Sequence, residues 1–156
     1  MKKLLLINPV GRRSGYLMSR ISRFAPLGLG YVAAATPADW EVRIRDENFG
    51  RVTAEPADLV GITAFTSSIN RAYEIAAQYR RRGIRVVIGG IHASMFPEEA
   101  MRYADAVVVG EAEAVWPQVV RDAEAGRLAR RYDGTRIDLK RRTIRPRRDL
   151  FHPGYF

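Results

Sequence analysis

The sequence predicts an open, doubly wound α/β fold on a five-stranded parallel sheet, flavodoxin-like or Rossmann-like, and three observations carry that reading. Short continuous runs of branched apolar residues recur along the chain, the pattern of strands buried on both faces. Segments with apolar residues at three-and-four spacing lie between those runs. Strand and helix alternate instead of segregating into blocks, the mark of βαβ units.

The first strand is Leu4-Leu5-Leu6-Ile7. Val42-Arg43-Ile44 alternates, which suits an edge strand, and Leu59–Ile62, Val86–Ile88 and Val107–Val109 follow. Helices are expected over residues 27–35, with Leu27, Leu29, Tyr31, Val32 and three alanines, and over 69–82. The second of these places Ile69, Ala72, Tyr73, Ala76 and Tyr79 on one stripe, with Gly83 as its stop. Residues 97–103 open on Pro97-Glu98-Glu99, a good first turn, and residues 111–125 open on acids and end at Gly126. Right-handed crossovers and the strand order 2-1-3-4-5 put a ligand crevice at the carboxyl ends of strands one and three, where the winding reverses. The domain is expected to span residues 1–128. In residues 129–156, Asp133-Gly134 is a turn signal and Ile137, Leu139 and Ile144 are spaced among charges. That stretch reads as a C-terminal basic arm or hairpin, and Pro146 and Pro153 suggest that the chain leaves the domain there.

A chain of 156 residues suits one domain, and 47% apolar residues suit a globular one. There is no cysteine, which excludes disulfides, thiolate zinc sites, cysteine nucleophiles and cysteine-held iron–sulfur clusters within the chain. No apolar run approaches the about 18 residues of a membrane span, and Asn8-Pro9 stops the first run too soon for a signal peptide, so a cytoplasmic protein is expected. The net charge of +9 is uneven: residues 1–126 carry 16 basic and 14 acidic side chains, residues 127–156 carry 10 and 3. The excess belongs to the tail, and without interleaved aromatics or a known motif nucleic acid is not the expected partner.

Function in this fold sits in the loops that follow the strands. These are Asn8-Pro9-Val10-Gly11, with Gly15 further on; Thr63-Ala64-Phe65-Thr66-Ser67-Ser68; Gly89-Gly90-Ile91-His92; and Gly110-Glu111-Ala112-Glu113. Small residues let a ligand approach the backbone, and helix amino ends favour phosphate. Singly, each glycine makes a turn; together, around one crevice, they favour a large ligand. Asn8 and Thr63 stand where a phospho-receiver needs acids, and the first loop is a poor flavodoxin phosphate loop. Gly28-Leu29-Gly30-Tyr31-Val32-Ala33 spells a dinucleotide fingerprint far from the turn where that motif belongs. A nucleotide-binding domain and a non-catalytic interaction domain using the basic tail stay as alternatives.

In order along the chain, these motifs resemble the cobalamin-binding domains of radical S-adenosylmethionine proteins. The matching residues are Asn8-Pro9, Pro26-Leu27-Gly28-Leu29, Asp46-Glu47, residues 58–62, Gly89-Gly90-x-His92 with Pro97-Glu98-Glu99-Ala100, and Gly110-Glu111-x-Glu113 with Trp116 one turn on. They cover about residues 3–128. The resemblance implies cobalamin as cofactor, with Asn8, Pro9, Thr66, Ser67, Ser68, Gly89, Gly90, His92, Gly110 and Glu111 as its binding residues. The corrin would lie over the strand ends and the nucleotide arm between sheet and helices, in a slot opened by Ser67, Ser68, Gly89 and Gly90. The D-x-H-x-x-G motif of other cobalamin domains is missing, since Asn8-Pro9-Val10 offers no imidazole. A base-off cofactor without a histidine from that loop is therefore implied.

Single residues keep more than one role at this point. His92 either meets cobalt or hydrogen-bonds a backbone group or a cofactor amide. Glu111 and Glu113 suit a helix amino end as well as a ligand, Phe65 flanks the corrin or covers the core, and Trp116 is expected to pack a helix on the sheet. Asp46 and Glu47 are expected half-exposed and non-catalytic. The resemblance also implies an amino-terminal piece of a longer methyltransferase, with Pro146–Leu150 leading into a radical S-adenosylmethionine domain that holds a 4Fe-4S cluster and S-adenosylmethionine. Pro146, Pro153, Tyr155 and Phe156 would then have nothing to pack on. This chain would carry the cofactor rather than catalyse.

Overall fold

The computed structural model of the protein describes residues 1–11, 24–136 and 144–156. Among the described residues β1 (Lys2–Asn8), β2 (Trp40–Asp46), β3 (Leu59–Thr63), β4 (Arg85–Gly89), β5 (Ala106–Val109) and β6 (Arg131–Asp133) form one sheet in the order β2-β1-β3-β4-β5-β6. Every neighbouring pair is parallel. The helices are α1 (Leu27–Ala35), α2 (Ile69–Arg80), α3 (Ile91–Met95), α4 (Pro97–Ala100) and α5 (Trp116–Glu124). None is long and apolar enough to cross a membrane.

Side chains alternate across a strand, so β1 sends Leu5 and Ile7 to one face and Leu4 and Leu6 to the other. On the first face they join Val60, Ile62, Val86 and Ile88 under Ile69, Tyr73, Ala76 and Tyr79 of α2. On the second they join Leu59, Val87 and Val108 under Leu29 and Val32 of α1 and Trp116, Val119 and Val120 of α5. Burial on both faces is why these strands read as unbroken apolar runs.

The sheet has six strands, not the five expected. Arg131–Asp133 pairs in parallel with β5, Val108 opposite Tyr132. Tyr132 alone turns into the core; its hydroxyl donates to Asp122 Oδ2 at 2.9 Å and accepts from the Ala129 amide at 2.9 Å. Arg131 and Asp133 stay outside and pair with each other at 2.7 Å. Asp133-Gly134 therefore closes an edge strand instead of turning a hairpin. Gly134 donates to the Val109 carbonyl at 2.7 Å, and any Cβ on it would run into the Glu111 carbonyl. Ile137 and Leu139, like Gly15, lie outside the described residues.

Helix boundaries also differ: α2 ends at Arg80 rather than residue 82, α4 at Ala100 rather than residue 103. α5 starts at Trp116, not at the acids, because Pro117 belongs to the first turn of a helix. The short α3 follows β4 directly and carries Ile91 and His92. The tail is packed in part: Phe151 is buried, the His152 ring stacks on Phe49 with centroids 3.8 Å apart, and Tyr155 meets Phe49 edge-on at 4.8 Å, while Pro153 and Phe156 are exposed as expected.

Tyr132 is the core anchor of β6. The Tyr132→Ala chain is expected to be about 3–4 kcal/mol less stable, from lost burial and a stranded Asp122. Urea unfolding followed by circular dichroism measures it, and a loss within error of zero would contradict the assignment of β6 to the core.

Candidate functional site: a groove between α1 and α5

On the second face of the sheet α1 and α5 part near the carboxyl ends of the strands, and a groove of about 200 Å³ opens there. Leu6, Val87, Val108 and Trp116 make an apolar floor, α1 contributes Gly28, Leu29 and Val32, and Gly89, Gly90, Gly110 and Glu111 surround the mouth. A Cβ on Gly61 of β3 would lie 2.8 Å from Leu6 Cδ2 and 3.2 Å from Trp116 Cη2, so the bare strand position lets those side chains meet over it. Trp116 Nε1 donates to Thr36 Oγ1 at 2.9 Å and ties α5 to the end of α1.

Two further glycines line the groove. Among the described residues a Cβ on the exposed Gly28 would meet nothing within 4 Å, whereas one on Gly89 would rest in ordinary contact with Val108 at 3.7 Å. A glycine in a helix costs roughly 0.5–1 kcal/mol against alanine. Among the described residues nothing stands where a Gly28 Cβ would go.

Of the residues expected at a ligand, Gly89, Gly90, Gly110 and Glu111 come together at this mouth. Gly90 is also the pivot of the β4–α3 turn: its φ is +95°, and a Cβ would lie 2.8 Å from Thr63 Oγ1. Asn8, Pro9, Thr66, Ser67, Ser68 and His92 stand elsewhere along the carboxyl edge. Asn8 Nδ2 donates to Asp46 Oδ1 at 3.0 Å. Pro9 is buried, and Gly11 passes so close to Ser67 that a Cβ there would strike the Ser67 carbonyl. Ser68 Oγ closes its own turn on the Phe65 amide at 3.2 Å.

His92 is 5% exposed and both ring nitrogens are engaged. Nδ1 lies 3.1 Å from Thr66 Oγ1, and Nε2 lies 3.2 Å from Glu99 Oε1, which also accepts from the Tyr73 hydroxyl at 2.8 Å. Hydrogen bonds from Tyr73 and His92 hold the Glu99 carboxyl below its usual range. Burial, and the bond to Glu99, push the Tyr73 hydroxyl up. Around this cluster Phe65, Ile91, Met95 and Phe96 are exposed, giving the carboxyl edge an apolar surface. Phe65 thus does not cover the core.

Sequence reasoning missed Glu47, whose side chain is 3% exposed against Arg71 at 11%. It was expected half-exposed. It accepts from Arg71 Nη2 at 2.7 Å, from the Val52 amide at 3.1 Å and from the Val10 amide at 3.2 Å. Burial pushes its carboxyl up, but the bonds from Arg71, Val52 and Val10 outweigh it and hold the group below its ordinary value. Beside it, Asp46 accepts from Asn8, from the Asn48 amide at 2.9 Å and from the Tyr155 hydroxyl. The acidic pair therefore sets the loop after β1. No spacing in the sequence marks Arg71 as its partner. Gly28, Gly61 and Trp116 were not singled out for the groove either, since their role depends on what stands opposite them.

The model of one family, the B12 binding domain, matches residues 14–120. The chain is 42% identical over 109 residues to bacteriochlorophyllide d C-8(2)-methyltransferase of Chlorobaculum tepidum, covering 69% of this chain and 24% of that protein. It is 30% identical over 139 residues to the C-12(1)-methyltransferase of the same organism, covering 87% and 30%. An uncharacterized methyltransferase of Pyrococcus horikoshii is 34% identical over 116 residues, covering 65% and 25%. The match thus spans about a quarter of the length of these relatives.

Removing the Glu47 carboxylate leaves the half-buried Arg71 cation with Glu74, at 3.0 Å, and strips the Val10 and Val52 amides of their acceptor. Glu47→Ala is expected to cost about 1–3 kcal/mol, read from urea midpoints at neutral pH. A carboxyl held low in the folded state stabilises fully above its unfolded value of 4.5 and loses that contribution as pH falls through the folded value. Wild type should therefore lose more stability than Glu47→Gln on acidification below pH 4.5; parallel pH curves would contradict this.

Proposed function

We propose, from the premise that the chain belongs to the B12-binding domain family, that it carries cobalamin with the nucleotide arm in the groove between α1 and α5. The observation that supports this reading is the groove's opening at Gly28, where among the described residues a Cβ would meet nothing within 4 Å. Leu6, Val87, Val108 and Trp116 offer an apolar bed for a flat heteroaromatic base. The backbone at Gly89, Gly90 and Gly110 is open to a sugar-phosphate. The apolar carboxyl edge with Phe65 and Ile91 suits the rim of a corrin.

The same reading makes the cofactor base-off, with no protein histidine on cobalt. The loop after β1 has no imidazole, and both nitrogens of His92 are already bound to Thr66 and Glu99. When bound, cobalamin supplies a cobalt that accepts and gives up a methyl group. The residues of this chain bind and orient it, and none of them takes part in bond making. Because the named relatives are methyltransferases several times longer than the match, we read the chain as the amino-terminal module of a radical S-adenosylmethionine methyltransferase. The remainder of that protein would hold the 4Fe-4S cluster and S-adenosylmethionine. The nucleotide-binding alternative has less support: Gly28 and Gly30 stand within α1, away from the turn after β1, and Gly30 faces Phe151.

Hydroxocobalamin added to the purified chain is expected to shift the corrin absorption and quench Trp116 fluorescence at micromolar ligand, and no change with folded protein would defeat the reading. Gly28→Leu puts a side chain at the groove, and among the described residues its Cβ meets nothing within 4 Å. It is expected to weaken binding by about tenfold or more, over 1.4 kcal/mol, with the melting temperature unchanged or raised. His92→Ala should leave the absorption spectrum of bound cobalamin as in wild type. A spectral change on that substitution would mean that the histidine reaches cobalt.

A further inference from the structure

We infer that Phe151 is a positioning residue for the groove: seated on Gly30, it holds α1 at the separation from α5 that a nucleotide arm requires. This inference rests on the cobalamin reading above. Gly28 and Gly30, two residues apart on α1, point about 200° apart around its axis. Gly28 faces the groove and open space. Gly30 faces the tail, where a Cβ would come 2.7 Å from Phe151 Cζ and 3.1 Å from Pro146 Cβ. The helix is thus held between an empty slot on one side and the tail on the other.

The tail is fastened at several points. Phe151 is 7% exposed. The Arg147 amide donates to the Gly30 carbonyl at 3.0 Å. The Tyr155 hydroxyl donates to Asp46, the residue that also holds Asn8 at the end of β1. By contrast α1 begins without a side-chain cap, and its Trp116–Thr36 tie to α5 lies at its far end. The amino-terminal half of α1, which carries Gly28, is braced from outside by Phe151 and Pro146. Protein interiors are close-packed, so removing the Phe151 ring lets that half relax toward the vacated seat and changes the width of the slot. A ligand that fills the slot feels the change; a corrin lacking the arm does not.

The test compares cobalamin with cobinamide, which has no nucleotide base, on the full chain by equilibrium dialysis and tryptophan quenching. Wild type is expected to prefer cobalamin. Phe151→Ala should lose about tenfold for cobalamin and less than about twofold for cobinamide, and Phe151→Leu should restore most of the preference. Gly30→Ala favours the helix and keeps the Phe151 ring while shifting it in its seat, so it should show the same selective loss with a smaller drop in melting temperature than Phe151→Ala, even if Phe151→Ala unfolds. Equal losses for both ligands, or no loss in a folded variant, overturn the inference and leave the cobalamin reading standing. A wild-type chain that binds neither corrinoid overturns both.

Discussion

The Trp116 indole stands over Gly61, against Leu6, and its N–H reaches Thr36 on the neighbouring helix. A parallel sheet buried on both faces normally draws its helices down until no space is left, because a void forfeits dispersion contacts on every wall. Here a large ring on a bare strand position acts as a strut. It fills the second core near β3 and ties α5 to the carboxyl end of α1. Toward the strand ends, where that packing stops, Gly28 and Gly89 offer nothing to close the gap. The groove follows from volume alone: one oversized residue placed on one absent side chain, with two further absences beside it.

That origin accounts for which parts were legible in the sequence. The sheet was, because a strand buried on both faces must be apolar at every position, and a short unbroken run of branched residues meets that demand. β6 was hidden because a single buried residue, Tyr132, carries it between charges that pair on the outside. The start of α5 was misread because Glu111 and Glu113 look like a first turn, while Pro117, the truer marker, sits inside the run. At the site, Gly89, Gly90 and Gly110 announced themselves by following strands directly. Gly61 did not, and Gly28 stood out only as part of two motifs: the place of a glycine inside a helix or strand at a groove shows once the atoms it would touch, or would not touch, are known.

The acidic pair Asp46 and Glu47 belongs to a different layer of the design. Asp46 ends β2 and Glu47 follows it, a place where acids usually face water, yet the Glu47 side chain is buried against Arg71; Asp46 accepts from Asn8 at the end of β1 and Glu47 from the Val10 amide beyond it. A buried ion pair is weak evidence for net stability, since desolvation offsets much of the attraction. Its effect is geometric. Glu47 accepts from two guanidinium N–H groups of Arg71 and from the Val52 and Val10 amides, and no slipped arrangement of the loops satisfies them all. The edge of the sheet beside the groove is thereby fixed without any side chain entering the groove itself.

Helix α1 is where these layers meet. One side borders the slot at Gly28, the other receives Phe151 at Gly30, and the tail that brings Phe151 is anchored through Tyr155 to the same Asp46. On the function proposed above, a ligand in the slot and the tail on the outer side press one helix from opposite directions. Their binding free energies are then coupled, and the coupling is reciprocal: a tail seated on α1 favours the ligand, and the ligand holds α1 where the tail seats best. Glycine at both positions makes that sensitivity possible. A side chain at Gly28 would occupy the slot, and one at Gly30 would take the seat of Phe151. The helix forgoes about 1 kcal/mol of its own stability for each, and gains a position that is set from outside.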